Sequence, residues 1–113
     1  MKRAAAALVV LVVLAGCVTA GIFARVEVAC GASALVYSNA DKFEEKITLI
    51  LADRCAGKDS ELQLVDTHGT VVQTFPVPDG TSKTLEVTVP KDDWLNFVCN
   101  GTEGNCSYAV TSK

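Results

Sequence analysis

Beyond residue 24 the chain is a run of short segments in which apolar and polar residues alternate, and a period of two admits strands and little else. Phe43, Glu45, Ile47, Leu49 and Leu51 fall on one side of one such segment, with Glu44, Lys46 and Thr48 on the other. Val26, Val28 and Cys30 alternate with Arg25, Glu27 and Ala29. Leu85, Val87 and Val89 alternate with Glu86 and Thr88, and Leu95, Phe97 and Cys99 with Asn96 and Val98. Further strands are expected at 34–38, 62–67, 71–77 and 107–111. Turn chemistry separates the segments: Thr67-His68-Gly69 reads as a tight hairpin turn, Pro78-Asp79-Gly80 as a turn, and 56–60 as a loop. Asp41 and Glu44 have the spacing of a capping box for one helical turn near 39–45, but the alternation through 43–51 is the stronger signal. Seven or eight strands with no strong helical period predict an all-β domain over 25–113, either a small antiparallel β-sandwich of immunoglobulin-like kind or a barrel.

The first 24 residues have another character. Lys2 and Arg3 are followed by no charge until Arg25, and residues 4–14 are apolar throughout. A short positive region, an apolar core of this length and small residues after it form a secretory signal peptide. The apolar core partitions into a bilayer while the positive end stays on the cytoplasmic side. Lys2 and Arg3 are the only charges before residue 18, so without the leader 8 basic residues face 13 acidic ones, a net charge of −5. That balance excludes a nucleic-acid binder built on a basic surface. The abundance of Val, Ile, Leu and Phe excludes a disordered tail.

Leu14-Ala15-Gly16-Cys17 resembles the lipobox of bacterial lipoprotein precursors: an aliphatic residue, two small residues, then Cys. The resemblance covers residues 1–17. It implies a signal peptide over 1–16, diacylglyceryl transfer to the Cys17 thiol, cleavage before Cys17, acylation of the new amino group with a fatty acid such as palmitate, and a lipid-anchored tether over 17–24. Two or three acyl chains hold a protein on a membrane stably, where one is marginal. Val18 stands where the family's sorting pattern uses Asp for inner-membrane retention, so the resemblance implies the outer membrane in a Gram-negative source. The residues leave two other outcomes open. Val18-Thr19-Ala20 fits an ordinary signal-peptidase site, which would release a secreted protein. Residues 4–24 also make about 31 Å of helix, enough for an uncleaved single-pass signal-anchor. Each outcome places 25–113 outside the cytoplasm, in the periplasm or beyond.

The cysteines point to the same compartment. Five are present, at 17, 30, 55, 99 and 106. Lipidation or removal of Cys17 leaves an even set, Cys30, Cys55, Cys99 and Cys106, suited to two disulfides in a small exported domain. Three pairings are possible, and Cys30–Cys55 with Cys99–Cys106 is preferred. The second pair flanks the polar, Gly-containing stretch Asn100-Gly101-Thr102-Glu103-Gly104-Asn105, which reads as a hairpin loop whose tip is a candidate partner contact. Chain entropy gives roughly 2.5 kcal/mol for that closure and roughly 3.5 kcal/mol for the longer one. As a zinc set the four are poor, having no Cys-x-x-Cys knuckle, so no metal ligand is expected.

Catalytic chemistry finds little to stand on. His68 is the only His and falls in an expected turn, which leaves no base for a Ser-His-Asp or Cys-His hydrolase and no blue-copper set. Glu44 and Glu45 point to opposite faces of a strand. Asp92-Asp93 follows Pro90 in a loop where calcium chemistry is conceivable, but a solvated loop start is the favoured reading. No phosphate-binding Gly loop and no nucleophile elbow occurs. Trp94 lies out of phase with Leu95 and Phe97 and is expected to be partly exposed. Asn100-Gly101-Thr102 and Asn105-Cys106-Ser107 match glycosylation sequons, which carry no meaning in a bacterial lipoprotein. The expectation is therefore a non-enzyme without cofactor: a cell-envelope lipoprotein whose β-sandwich is a binding or structural module, held to the membrane through Cys17, with an envelope protein as partner and no nucleic acid. The alternative is a secreted or signal-anchored inhibitor of an extracellular hydrolase, on analogy of size and location with small β-rich lysozyme inhibitors.

Overall fold

The alternating segments form eight strands: β1 (Val26–Ala29), β2 (Ser33–Ser38), β3 (Glu45–Asp53), β4 (Ser60–Val65), β5 (Val71–Val77), β6 (Ser82–Val89), β7 (Trp94–Val98) and β8 (Asn105–Ser112). They belong to a computed structural model that describes residues 24–112. The expected signal peptide, the expected lipidation site at Cys17 and the expected tether through residue 23 lie outside the described residues. All strand pairs are antiparallel and make two four-stranded sheets, β1-β8-β3-β6 and β2-β7-β4-β5. The sandwich is thus the observed architecture, with the strand order of an eight-stranded jelly roll.

The inward residues of each alternation make the core. Ile47, Leu49 and Leu51 of β3 and Val87 and Val89 of β6 come from the first sheet, and Leu62 of β4, Leu95 and Phe97 of β7 from the second. Burying side chains of this size stabilises by about 1.5–3 kcal/mol each. Phe97 meets Tyr108 of β8 edge to face across the sandwich, with centroids 6.5 Å apart.

The expected inward run from Phe43 breaks at its first member. Phe43 is 76% exposed and precedes β3, whose alternation begins at Glu45. The cause is Asn39, itself 1% exposed. Its amide Nδ2 donates to the carbonyls of Phe43 (3.0 Å) and Val89 (2.9 Å), and its Oδ1 accepts from the Asp41 N–H. The Asn39 backbone donates to the Asp93 carbonyl, and its own carbonyl accepts from the Asp92 N–H. This hub turns residues 40–44 out of strand geometry before β3 starts. Val26, expected inward with Val28, is 40% exposed at the start of the edge strand β1, whereas Val28 is 4% exposed.

Only β4 and β5 pair as sequence neighbours. Their turn is organised by Asp66, whose carboxylate Oδ1 accepts from the N–H groups of His68 (2.9 Å) and Thr70 (3.0 Å). Gly69, with φ 80°, donates to the Asp66 carbonyl. The N–H of Thr70 above all, with that of His68 and the His68 charge, holds the Asp66 carboxyl below its ordinary value of 3.8.

Two outcomes are expected. Asn39→Ala strands the buried Val89 carbonyl and the half-buried Phe43 carbonyl and should cost about 2–4 kcal/mol in urea unfolding, with no change in the strand signal of the folded protein. Asp66 adds stability that is full above its unfolded value of 3.8 and is lost as pH falls through its lower folded value. In Asp66→Asn that acid-range decline should be shallower, and carbon NMR titration of the wild type should place the Asp66 midpoint below 3.8.

Candidate functional site at the cysteine end

Four strand ends bring the four cysteines of the domain together. Cys30 follows β1, Cys55 follows β3, Cys99 follows β7, and Cys106 lies within β8. Disulfides join Cys30 to Cys55 and Cys99 to Cys106. The two bonds touch: Cys55 Sγ lies 3.1 Å from Cys99 Sγ and 3.7 Å from Cys106 Sγ. Cys55, Cys99 and Cys106 are fully buried, whereas Cys30 is half-buried at the rim. Because β8 lies between β1 and β3, the Cys30–Cys55 bond straddles a strand of its own sheet.

The Cys99–Cys106 bond does something the sequence reading did not anticipate. β7 and β8 belong to different sheets, so the bond ties sheet to sheet and residues 100–104 form a crossover, not a hairpin tip. Parity was a sound guide to where the thiols point, since both face the interior. It does not say whether two consecutive strands pair or pack.

Hydrogen bonds hold the crossover against the end of β3. Asp53, 0% exposed, accepts from the Cys55 N–H at 2.8 Å and from the Ser60 hydroxyl at 3.0 Å. The Ser60 oxygen in turn accepts from the Asn100 N–H, and the Asn100 side chain donates to the Asp59 carbonyl. Ala56 and Thr102 exchange backbone hydrogen bonds at 2.8 and 3.0 Å. Two glycines permit the approach. A Cβ on Gly101 would stand 2.7 Å from the Ala56 carbonyl oxygen, and one on Gly104 would collide with the Arg54 carbonyl. Both have φ values, 102° and 118°, that L side chains rarely adopt.

The ligand atoms of Cys30, Cys55 and Cys99, and those of Asp53, Cys55 and Cys106, lie close enough to hold a metal. With the sulfurs in disulfides there is no thiolate to offer, and the arrangement acts as a staple. Asp53 and Ser60 were missed from sequence; the sole signal was one carboxylate closing the apolar run Leu49-Ile50-Leu51-Ala52. Asn100 is committed to the scaffold, which leaves Glu103 as an exposed residue of the crossover and Asn105 as the exposed asparagine of the two sequons.

The other residues singled out from sequence lie elsewhere. His68 is exposed in the β4–β5 turn. Asp92, with φ 70°, and Asp93 serve the Asn39 hub through their backbones, and among the described residues neither joins a group of three potential metal ligands. Trp94 is half-buried at the start of β7.

Comparison with known proteins gives no matching family model and no matching curated protein. Among solved structures the chain is similar to one from Bacillus endospore appendages, described as a novel family of disulfide-linked pili. The identity is 14%, covering 85% of this chain and 91% of that one, with a TM-score of 0.48.

Removal of the inter-sheet bond in a Cys99→Ala, Cys106→Ala variant should lower stability by about 2–4 kcal/mol. Gly104→Ala should cost about 1–3 kcal/mol through strain and collision. Glu103→Ala should stay within about 0.5 kcal/mol. Urea unfolding without reductant checks all three, and equal losses would contradict this account of the crossover.

Proposed function

We propose that this chain is a lipid-anchored protein of a bacterial cell envelope, with a non-catalytic jelly-roll domain that serves as a binding or structural module. The observation that carries the reading is the division of the cysteines. Four close two disulfides in one buried cluster, and the fifth stands alone in Leu14-Ala15-Gly16-Cys17 behind a signal-peptide core. Disulfides persist in oxidising compartments, and the leader directs the chain there. Acyl chains on Cys17 supply the membrane attachment, and the tether over 17–24 leads directly into the edge strand β1. A stapled sandwich is suited to this work because it presents loops and sheet faces on a frame that resists unfolding outside the cell.

The non-catalytic part of the reading rests on residue types and placement. His68 sits alone in a solvated turn, and the buried carboxylate Asp53 is occupied by the Cys55 and Ser60 donors. An envelope protein remains the proposed partner, with the exposed residues of the crossover as one contact region.

The reading is tested at Cys17. Mass spectrometry of the mature protein should find an acylated residue 17 at the N-terminus, and Cys17→Ser should move the protein from the detergent phase to the aqueous phase or stall it as a precursor without acyl mass. A wild-type mature N-terminus at residue 21 would replace the reading with a secreted protein. An intact, unacylated leader in the wild type would replace it with a signal-anchor.

A further inference from the structure

The outer face of the first sheet carries a groove of about 280 Å³ near the cysteine end. Strand register builds it. Ile50 and Ala52 of β3 pair with Ala109 and Ser107 of β8, and alternation turns all four away from the core. The small residues leave a trough: Ala52 is 7% exposed and Ala109 3% although both face outward. Ser82, paired with Ala52 from β6, closes one side. Arg25 rises over the β1 side, and Arg54, just beyond β3, over the end.

Three observations mark the groove as a site for an anion. Arg25 and Arg54 are the only arginines among the described residues, in a domain of net negative charge, and both line this one groove. Neither has a carboxylate partner among the described residues, and the Arg54 guanidinium makes only a long 3.4 Å contact to the Gly80 carbonyl among them. Ser107 is 8% exposed, lines the groove, and its hydroxyl has no hydrogen-bond partner among the described residues. A buried hydroxyl without a partner is costly, and guanidiniums match oxyanions with paired donors. The one adverse charge is Glu27, which reaches the adjoining part of the groove with Asn105.

We propose that this groove binds a phosphoryl oxyanion, with the Arg25 and Arg54 guanidiniums and the Ser107 hydroxyl as donors and the apolar floor at Ile50, Ala52 and Ala109 beneath the ester side of the group. The phosphoryl group has two possible sources, inorganic phosphate and the headgroup of an anionic phospholipid. The lipid source rests on the membrane-anchored reading: Arg25 stands eight residues from Cys17, at most about 28 Å of extended chain. The oxyanion site itself does not rest on that reading, because its donors all lie in the folded domain.

The test uses the full chain in nonionic detergent, followed by nitrogen NMR of the arginine side chains and the Ser107 amide. Inorganic phosphate should shift these signals saturably, while chloride at matched ionic strength should not. Arg25→Gln and Arg54→Gln should each weaken binding roughly tenfold, Ser107→Ala by several-fold, and Glu27→Gln should tighten it. Lys91→Gln, at the opposite end of the sandwich, should leave it unchanged. In nanodiscs, the same signals responding to phosphatidylglycerol and not to phosphatidylcholine would assign the lipid source. A response to free phosphate alone would assign the soluble source and leave the question of Cys17 acylation untouched. The proposal is overturned if neither phosphate nor phosphatidylglycerol gives a saturable shift, or if Lys91→Gln weakens binding as much as the arginine variants do. Unchanged backbone spectra of β4 and β7 in each variant confirm that the fold is intact.

Discussion

Contact between the two disulfides is the constraint on which the rest of this sandwich depends. One bond joins β1 to β3 across β8, the other joins β8 to the second sheet, and Cys55 touches Cys99 where they meet. Four of the eight strands are therefore held at one end by covalent bonds in van der Waals contact. Asp53 and Ser60 extend the same junction through hydrogen bonds into β4 and the crossover. Among the described residues the far end has no such device and relies on the Asn39 amide, which collects carbonyls from the segment before β3 and from the end of β6. A small domain closed covalently at one end and by hydrogen bonds at the other loses chain entropy chiefly at the first, and can keep a modest apolar core.

Most of the strand content was legible because alternation is a local property. Val71–Val77 fills the expected segment, and the other strands differ from expectation by a few residues at their ends. What was illegible is pairing. Five of the six strand pairs join segments that are not sequence neighbours, and local patterning carries no information about such partners. Cys99 and Cys106 show the consequence: two alternating segments around a polar, Gly-containing stretch look the same whether they form a hairpin or cross between sheets. Phe43 shows another, since a buried amide four residues earlier outweighed its hydrophobicity.

The candidate sites divide along the same line. The even cysteine set and the preference for Cys30 with Cys55 needed only spacing and compartment. The groove needed the register of β3 against β8 and β6, because Arg25 and Arg54 are 29 positions apart in sequence and neither alone marks a site. Outward-facing Ala52 and Ala109 read in sequence as unremarkable small residues; they become a trough only when paired with Ser107 and Ile50 on adjacent strands.

The position of Cys30 also determines how the domain carries mechanical load. Tension entering along the chain ahead of Val26 acts on the end of β1, an edge strand of four residues, and pulls its hydrogen bonds to β8 apart one after another. Such unzipping needs little force, but it can run only as far as Cys30. There the pull passes through sulfur to Cys55, at the end of a strand flanked on both sides by neighbours in its sheet. Under such tension the four residues of β1 would be the section that yields, and the covalent link beyond them would keep the sandwich closed.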